Sequence, residues 1–581
     1  MVTATRTART ADETLASVTV ITRRDIERAQ PESVDELLRT LAGVDVSRNG
    51  GYGKTTNVYL RGTNAGHVLV LVDGIRAASA TLGSFAWSNL SPDQIERIEI
   101  VRGPRASLYG SDAIGGVIQI FTRRPAHARI QGTLGSNRLW KLEVADGLEA
   151  GGWHLGFSAG RLDDGGIPVL DRDTVDRGYR NTHFTAGAEG RLPGEIALDL
   201  RVSQQRGRNE LDPFTGDLTF TNRVIRLALD QEVTDTWTQR ITLGHALDRS
   251  TSESPTSPAT IRTRRRQFGW QHDLALGEAL ATVGIDHWVD HATKDRSGAI
   301  DRRIRTNALY LQWQQPSPIG DWQAALRHDR NSASGNRTTW NLGWGRDLDA
   351  RTRVRLSHGT AFKAPTVNDL YWPHREDTFF GAKYITQGNP GLRPERSRTT
   401  EFGLRHRIPG LLEGRVNLYY TRVRDLIEWT TTQTGPSEYT TTPANRSKVR
   451  IRGLELTLTA HHAGWQEDFQ FTLLDAKNPS GRQLDRRPLH KASLTLAHAV
   501  GRGSLQLEIL GVSARLDQNG AKRLGGYGLV NLRYAQPLPG HLQFRVRAEN
   551  LFDKSYSEAA SFSGNYRALG RALYASLVWQ P

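Results

Sequence analysis

The sequence lacks cysteine entirely, contains a single methionine and is only 37% hydrophobic over its 581 residues. Without cysteine there can be no disulfides, thiolate metal sites or cysteine nucleophiles, and the chain suits an oxidising compartment. It also has no run of about 18 apolar residues, which a membrane-crossing helix requires. Any part that crosses a membrane must therefore be built from β-strands.

A signal peptide and a nucleotide-binding loop are also missing. The N-terminus shows no basic stretch followed by about 7 to 15 apolar residues, so we expect a signal peptide to have been removed or to lie upstream of this start. Gly53-Lys-Thr55 resembles the end of a phosphate-binding loop, but Arg48 stands where that loop requires its first glycine. The sequence therefore does not predict an ATPase.

The net charge of +15 comes from 76 basic and 61 acidic residues. Such a balance is typical of proteins that meet nucleic acid or an anionic surface. The arginines are spread along the chain and no nucleic-acid motif accompanies them, so we expect no nucleic-acid partner. Lipid and lipopolysaccharide phosphates would satisfy the charge equally well.

Residues 1–124 have the pattern of a small mixed α/β domain. Ser33 stands three residues before Glu36, as in a capping box, and apolar residues follow at helical spacing: Val34, Leu37, Leu38 and Leu41. A second helix start, at residues 91–93 (SPD), gives way to a strand-like segment at residues 98–101. The sequence therefore predicts a separate N-terminal domain.

Residues 125–581 alternate with a period of two, in segments of about ten residues separated by turn-forming residues. Between residues 541 and 550 one face is apolar and the other is polar or charged: Leu542, Phe544, Val546 and Ala548 against Gln543, Arg545, Arg547 and Glu549. At roughly 21 residues per strand and connection this region holds about 22 strands, and a lumen of that size needs a plug. We therefore predict a mostly β fold, a transmembrane antiparallel barrel with the N-terminal α/β domain inside its lumen, although alternation alone also fits a soluble sandwich.

Eight segments carry a resemblance to a known family. Four lie in the N-terminal domain, at residues 57–62 (NVYLRG), 68–74 (VLVLVDG), 95–105 (IERIEIVRGPR) and 108–117 (LYGSDAIGGV). Four lie in the barrel region, at residues 359–365 (GTAFKAP), 389–395 (NPGLRPE), 451–455 (IRGLE) and 550–556 (NLFDKSY). Through them nearly the whole chain resembles the TonB-dependent receptors. The resemblance implies a monomeric active transporter in the outer membrane of a Gram-negative bacterium, opened by a TonB-type periplasmic coupling protein.

Within that family the chain is most similar to the cobalamin (vitamin B12) receptors, through residues 49–53 (NGGYG) and 61–70 (RGTNAGHVLV). The resemblance implies that two plug apices, residues 50–57 and 77–87, contact cobalamin or a related corrinoid. The candidate substrate-binding residues are Gly51, Tyr52, Lys54, Thr55, Thr56, Asn57, Leu82, Phe85 and Trp87. A large, amide-fringed ligand needs aromatic area and several hydrogen-bond donors, although Tyr52 and Trp87 could also be ordinary loop aromatics.

The resemblance further implies an ionic latch and a coupling segment. Two plug arginines, Arg61 and Arg102, are expected to meet two barrel glutamates, Glu401 and Glu455, inside the lumen. A guanidinium binds a carboxylate bidentately, and breaking a buried pair is costly. Of the family's coupling segment, the Ton box, only the end is matched, by Val2, Thr3 and Ala4. We expect the rest to be missing from this chain.

The sequence also allows a calcium site and ligands other than a corrinoid. No cofactor is required, but the resemblance implies acidic extracellular loops that can bind calcium, with oxygen ligands from Asp163, Asp164, Asp173, Asp176 and Asp212. Against this, Arg177 stands where the family pattern has an aspartate. Heme is an alternative ligand because His374 lies where heme receptors carry a histidine, with His67 as a possible partner. A siderophore is the other alternative.

Two further classes of protein were weighed. A passive porin would lack the 124-residue plug domain. A secreted β-rich glycosidase would need a carboxylate pair, and no motif isolates one among the many acidic residues. We therefore expect no catalytic residues and no enzymatic activity.

Overall fold

The computed structural model describes residue 6 and residues 14–212, 216–254, 258–296, 298–379 and 381–581. Twenty-two strands form a closed antiparallel barrel around an N-terminal plug, which confirms the predicted fold class. The last strand closes the ring against the first, with Tyr574 opposite Gly135. The wall strands are β8 Arg129–Gly135, β9 Leu139–Ala150, β10 Trp153–Ile167, β11 Arg177–Leu192, β12 Ile196–Glu210, β13 Asp217–Thr234, β14 Trp237–Ser252, β15 Ala259–Leu276, β16 Ala279–Lys294, β17 Ile300–Gln315, β18 Asp321–Asn331, β19 Gly335–Asp347, β20 Thr352–Lys363, β23 Glu395–Ile408, β24 Leu412–Gly435, β25 Glu438–His462, β26 Trp465–Lys477, β27 His490–Val500, β28 Gly503–Val512, β31 Tyr527–Leu538, β32 Leu542–Glu549 and β35 Ala572–Trp579.

The alternation of the wall strands follows the sequence pattern. On β35, Leu573, Leu577 and Trp579 are exposed on the outer face, while Tyr574 and Val578 are buried against the interior. On β32, Phe544 is exposed, whereas Arg545 and Arg547 are buried toward the plug. The apolar face of the wall therefore points outward and the charged face points into the lumen.

The two ends of the barrel differ in their connections. One end has short turns, such as residues 151–152 and 463–464, and the other has long loops. Because such barrels have short periplasmic turns and longer extracellular loops, the long-loop end is extracellular. In the described parts of the loops at this end there are one helix and three short hairpins: α4 Val367–Tyr371, β21 Arg375–Phe379 with β22 Ala382–Thr386, β29 Arg515–Asp517 with β30 Lys522–Leu524, and β33 Ala560–Ser561 with β34 Gly564–Asn565.

The plug is a small α/β domain. Its five-stranded sheet has the order β1-β6-β7-β4-β5, and β2 and β3 form a separate hairpin. The last plug strand ends at Thr122, so the chain passes to the barrel between residues 122 and 129. The plug elements are β1 Val18–Thr22, α1 Arg23–Ala29, α2 Val34–Leu38, β2 Val44–Arg48, β3 Thr56–Leu60, a 3-10 turn Ala65–His67, β4 Val68–Val72, β5 Ile75–Arg76, 3-10 turns Trp87–Asn89 and Pro92–Gln94, β6 Ile95–Arg102, α3 Ala106–Tyr109 and β7 Gly116–Thr122.

The helix predicted after Ser33 does form, but its capping box does not. The Ser33 hydroxyl accepts a hydrogen bond from Arg48 at 2.9 Å, and Glu36 accepts one from the Glu32 amide at 3.0 Å. The helix ends at Leu38, although Leu41 beyond it is still buried. A buried arginine thus competes for the capping hydroxyl. Among the described residues, no helix is both long and apolar enough to cross a membrane.

Candidate functional site

The two predicted apices, residues 50–57 and 77–87, lie at the extracellular end of the plug. The Lys54 ammonium donates hydrogen bonds to the Arg177 carbonyl at 3.0 Å and to the Asn209 side chain at 2.8 Å, at the extracellular ends of β11 and β12. The Ala80 amide donates to the Thr263 hydroxyl at 3.1 Å, near the extracellular end of β15. Both apices are therefore fastened to the wall where an incoming ligand would first meet the plug.

The candidate substrate-binding residues differ sharply in exposure. Thr55 is exposed, Leu82 is 65% exposed, and Asn57 and Phe85 are half-buried. The remaining five are buried: Gly51, Tyr52, Lys54, Thr56 and Trp87. Among the nine candidates, only Thr55, Leu82, Asn57 and Phe85 can contact a ligand directly in this conformation.

The burial of Tyr52, Lys54 and Trp87 has identifiable causes, and their role in ligand binding stays a prediction. The Tyr52 hydroxyl lies 3.0 Å from the Tyr574 hydroxyl of the wall, and Trp87 packs edge-on against Phe85 in the plug core. Burial lowers the pKa of the Lys54 ammonium to about 8. These three side chains hold the apices in place in this conformation.

Arg61 is the centre of a buried ionic cluster between plug and wall. Its guanidinium donates to Glu455 at 2.8 and 2.9 Å and to Glu401 at 2.7 and 3.2 Å. All three side chains are buried, and the guanidinium carbon lies 4.4 Å from the centre of the Tyr419 ring. Burial alone would lower the pKa of Arg61, but the two carboxylates raise it well above its usual range. One plug arginine thus binds both predicted barrel glutamates, and its role in release stays a prediction.

Arg102 does not take the partner that the resemblance implies. Its guanidinium donates to the Ala42 carbonyl at 2.8 and 3.1 Å and to the Thr19 hydroxyl at 2.8 Å. Because Arg61 already occupies both glutamates, Arg102 instead ties two segments of the plug together. In this structure Arg102 thus stabilises packing within the plug, and its role in a latch stays a prediction.

Several barrel side chains hold the plug in ways that the sequence did not reveal. Lys141 bridges Glu32 and Asp93 at 2.7 and 3.0 Å, and Arg547 pairs with Glu36 at 3.0 Å. Others donate to main-chain carbonyls: Arg487 to Gly62 and Thr63, and Lys491 to Leu41 and Val44. The only available signal was the presence of basic residues on the inward face of predicted strands.

The five aspartates proposed for calcium do not converge. Asp163 pairs with Arg180 at 2.6 Å, Asp173 lies 3.6 Å from Arg177 and Asp176 lies 3.4 Å from Arg138. In the described part of the chain, no three acidic or histidine side chains form a group that could hold a metal ion. Arginines supply positive charge beside Asp163, Asp173 and Asp176, so these three do not form a calcium site in this conformation, and calcium binding stays a prediction.

The two histidines considered for heme lie in different environments and are both engaged. His67 is 2% exposed; its Nδ1 accepts a hydrogen bond from the Asn64 amide and its Nε2 pairs with Glu395. His374 is exposed and pairs with Gln387 and Glu376, each at 3.0 Å. Buried as it is, His67 is not available to an iron ion.

The N-terminal segment can be followed only in part. Val2, Thr3 and Ala4, the predicted remnant of the coupling segment, lie outside the described residues. Arg6 is described, and its guanidinium pairs with Asp286 of β16 at 2.8 Å and lies 4.2 Å from the centre of the Tyr310 ring. It lines a cavity of about 310 Å³ between the plug sheet and the wall. That volume is at the lower end for small-molecule sites.

Comparison with known proteins matches this architecture. The family model described as TonB dependent receptor-like, beta-barrel matches residues 147–551, and the TonB-dependent Receptor Plug Domain matches residues 10–117. The vitamin B12 transporter BtuB of Photobacterium profundum is 30% identical over the whole of this chain and 95% of its own length. The corresponding transporter of Vibrio vulnificus is also 30% identical, over 97% of this chain and 92% of its own.

Solved structures of low sequence identity share the fold. A mutant of the ferric enterobactin receptor PfeA of Pseudomonas aeruginosa, in complex with enterobactin, superposes with a TM-score of 0.83 at 19% identity, covering 97% of this chain and 99% of that one. The siderophore receptor PirA of Acinetobacter baumannii gives 0.85 at 17% identity, covering 97% and 98%. The plugged barrel and the matches across plug and wall together show that this chain belongs to the TonB-dependent receptors of the Gram-negative outer membrane.

Proposed function

We propose that this receptor imports cobalamin or a related corrinoid. The observation that carries the proposal is the similarity to vitamin B12 transporters, which extends over plug and barrel alike. The siderophore receptors that share the fold are less than 25% identical to this chain. Similarity at that level supports a shared fold but not a shared ligand. We infer from the family resemblance that the chain acts as a monomer; the closed barrel excludes a partner that would pair with a free strand edge of the wall.

The exposed part of the apices suits a large, amide-fringed ligand. Leu82 and Phe85 offer apolar surface on one apex, and Thr55 and Asn57 offer a hydroxyl and an amide on the other. A corrinoid combines a broad apolar face with amides around its rim, so this mixture of groups matches its chemistry. Heme fits less well, because the buried His67 is already paired with Glu395.

Equilibrium binding of cyanocobalamin to the purified receptor tests the proposal. We expect tight, saturable binding that an excess of hemin or of a ferric catecholate does not displace. Leu82→Asp places a charge at the expected contact and should weaken binding by about tenfold or more, since burying an unpaired charged group is costly.

Leu348→Asp is the matched control for that substitution. Leu348 is 60% exposed, close to the 65% of Leu82, but it lies in a periplasmic turn. Cyanocobalamin affinity should be unchanged in this variant. If wild-type receptor binds hemin or a ferric catecholate but not cyanocobalamin, the ligand assignment is wrong.

A further inference from the structure

A cavity of about 760 Å³ lies at the periplasmic mouth of the barrel, between plug helix α1 and the wall strands β26, β27, β28, β31, β32 and β35. We call it the mouth cavity. Gly464 and His541, from two periplasmic turns, line its opening. Its volume lies within the range of small-molecule sites. Because it lies at the end of the barrel opposite the apices, it is separate from the surface proposed to receive the cargo.

The described side chains that line the mouth cavity are rich in arginine and glutamine. Glu27 is the one carboxylate side chain among them, and five glutamines contribute amide groups. The arginines number four: Arg24, Arg28, Arg533 and Arg545. The cavity therefore offers positive charge together with amide donors and acceptors.

Two buried side chains of the mouth cavity have unused binding capacity. Arg545 is 9% exposed and donates to the Gln543 side chain at 2.7 Å, and among the described residues no carboxylate lies within salt-bridge distance of it. Gln506 is 7% exposed, and its side-chain oxygen has no hydrogen-bond partner within the described ranges. The Gln506 amide can therefore turn toward a ligand without breaking a bond at that oxygen. A ligand with an anionic group and amide N–H donors would satisfy both side chains.

A narrower cavity of about 30 Å³ extends from the mouth cavity toward the first apex. Arg533, which pairs with Glu508 at 3.0 Å, lines both cavities. Gly50 and Leu569 line the extracellular part of the narrower cavity, and Gly50 begins the apex 50–57. A ligand that leaves this apex would thus reach the mouth cavity along the seam between the plug and strands β28, β31 and β32.

We propose that the mouth cavity is a second binding site for the cargo on the exit side of the plug, an assignment that rests on the proposed function. A cobalamin-type corrinoid carries amides around its ring and one anionic phosphodiester. Arg545 would bind the phosphodiester, because a guanidinium suits phosphate oxygens, and Gln506 would bind a ring amide. A ligand larger than the cavity can extend between the turns into the periplasm. The site would hold cargo that has passed the plug and oppose its return.

A fluorophore beside the mouth cavity tests the proposal. The chain has no cysteine, so an introduced thiol is labelled uniquely. Ser504 is exposed and lines the cavity, and a dye on Ser504→Cys is quenched when the strongly absorbing corrin ring binds nearby. Titration with cyanocobalamin should give two saturable phases, a tight one from the apices and a weaker one from the mouth cavity. A dye on Leu348→Cys, in another periplasmic turn, should show no weak phase.

Two substitutions in the Ser504→Cys background should act on the weak phase alone. Arg545→Gln should weaken it about tenfold, as expected for the loss of a hydrogen bond to a charged group. Gln506→Leu should weaken it about fivefold. This variant should not lower the urea midpoint for plug release, because it removes a buried oxygen that has no partner. A purely structural role of Gln506 would lower that midpoint.

Cobinamide, which has the ring amides but no phosphodiester, identifies the group that Arg545 binds. In the weak phase it should bind about tenfold more weakly than cyanocobalamin to the receptor with Arg545, and equally well to Arg545→Gln. Arg240→Gln is the matched control, because Arg240 lines the other cavity between plug and wall, near the periplasmic end of β14. It should leave both phases unchanged. Heat-modifiable electrophoretic mobility shows whether each barrel is folded. If Arg545→Gln does not fold, Gln506→Leu and the comparison of the two ligands decide.

The outcomes separate this site from the proposed cargo. A tight phase without a weak phase would refute the mouth site and leave the cargo assignment intact, whereas the absence of both phases would refute both. The mouth site is also refuted by a weak phase that neither substitution changes, or by one that Arg240→Gln weakens equally. Equal binding of cobinamide and cyanocobalamin in the weak phase would show that Arg545 does not bind the phosphodiester.

Discussion

At the scale of single residues, Arg61 makes a buried ionic contact between plug and wall with two carboxylates at once. It binds both glutamates with four hydrogen bonds, and its backbone adopts a φ of +49°, a region that non-glycine residues rarely occupy. Such local strain persists only when the surroundings enforce it. The sequence placed Arg61 within a motif but could not show that it takes both carboxylates.

Replacing Arg61 should loosen the plug. Arg61→Gln removes the hydrogen-bonded ion-pair partner of both Glu401 and Glu455, and breaking such a buried pair costs roughly 3–5 kcal/mol. Urea raises the conductance of the receptor in a planar bilayer when the plug loosens. We expect this rise at a clearly lower urea concentration in Arg61→Gln than in wild type. Arg24→Gln, which removes an exposed plug arginine, serves as the control and should leave that concentration unchanged.

A triple variant tests whether the effect of Arg61→Gln comes from unpaired buried charge or from the altered side-chain shape in the same ionic cluster. Adding Glu401→Gln and Glu455→Gln to Arg61→Gln removes the buried charges along with their partner, and replacing a whole buried ionic group is far less harmful than breaking it. Its resistance to urea should recover part of the way to wild type. A triple variant weaker than Arg61→Gln alone would refute the ionic explanation.

Lys54 should make the fastening of the first apex depend on pH. Burial holds the folded-state pKa at about 8, below the unfolded value of 10.5. Between these values the unfolded state binds more protons than the folded state. The folded state, with Lys54 docked against the wall, therefore gains stability relative to the unfolded state as pH rises. We expect the urea midpoint for plug release to rise from about pH 7 to 9.5 more steeply in wild type than in Lys54→Met. Identical slopes in the two proteins would contradict this.

At the scale of elements, the turn between α2 and β2 connects the plug backbone to the ionic cluster. Gly43 has a φ of +71°, and its carbonyl accepts a hydrogen bond from the Arg61 amide at 2.7 Å. A Cβ atom at this position would lie 2.0 Å from a Glu455 carboxylate oxygen. The glycine is therefore required both by the backbone conformation and by the approach of the glutamate.

Gly43→Ala should weaken the plug through this contact. Gly74 is the matched comparison, because its φ is +82° but nothing lies within 4 Å of an added Cβ. Gly74→Ala should cost only the backbone strain, about 1 kcal/mol. Gly43→Ala should lower the urea midpoint for plug release considerably further, because Glu455 must also move. Equal effects would mean that the cluster tolerates displacement.

Element types were more predictable than their contacts. Strict alternation identifies wall strands because one face meets lipid and the other meets the plug, as Phe544 and Arg545 show. The short helix α4 was missed because its signal is confined to one turn, capped by Thr366 and Asp369. The burial of Tyr52 and Trp87 could not be predicted, because it depends on wall residues far away in the sequence, such as Tyr574.

At the scale of the whole molecule, plug and wall are held by different interactions. The wall is a closed ring of hydrogen-bonded strands with no free edge. The plug is a five-stranded sheet fastened mainly through side chains. The cavities between plug and wall include one of about 310 Å³ near Arg6 and one of about 760 Å³ near Arg24. Because ion pairs tie the plug to the wall, we expect the plug to move during passage of a large ligand while the wall stays intact.

Plug and wall should accordingly respond separately to denaturant. We expect moderate urea to raise conductance reversibly while heat-modifiable mobility still reports a folded barrel. Cyanocobalamin at about 100 times its Kd should delay the conductance rise, since such an excess stabilises the bound state by about 2.7 kcal/mol. Simultaneous loss of both signals would show that plug and wall form one cooperative unit.

Side chains of the wall bind main-chain carbonyls of the plug, and this has a consequence for how such receptors can diversify. Lys491 and Arg487 bind the carbonyls of Leu41, Gly62 and Thr63. A carbonyl is present whatever side chain its residue carries, so mutations of Leu41 or Thr63 leave the acceptor in place, whereas Gly62, with a φ of +72°, is restricted to glycine. A lineage can thus exchange the residues that recognise its cargo while inheriting the same fastening. Substitutions at the exposed apex residues Thr55 and Leu82 would accordingly leave these main-chain contacts unchanged.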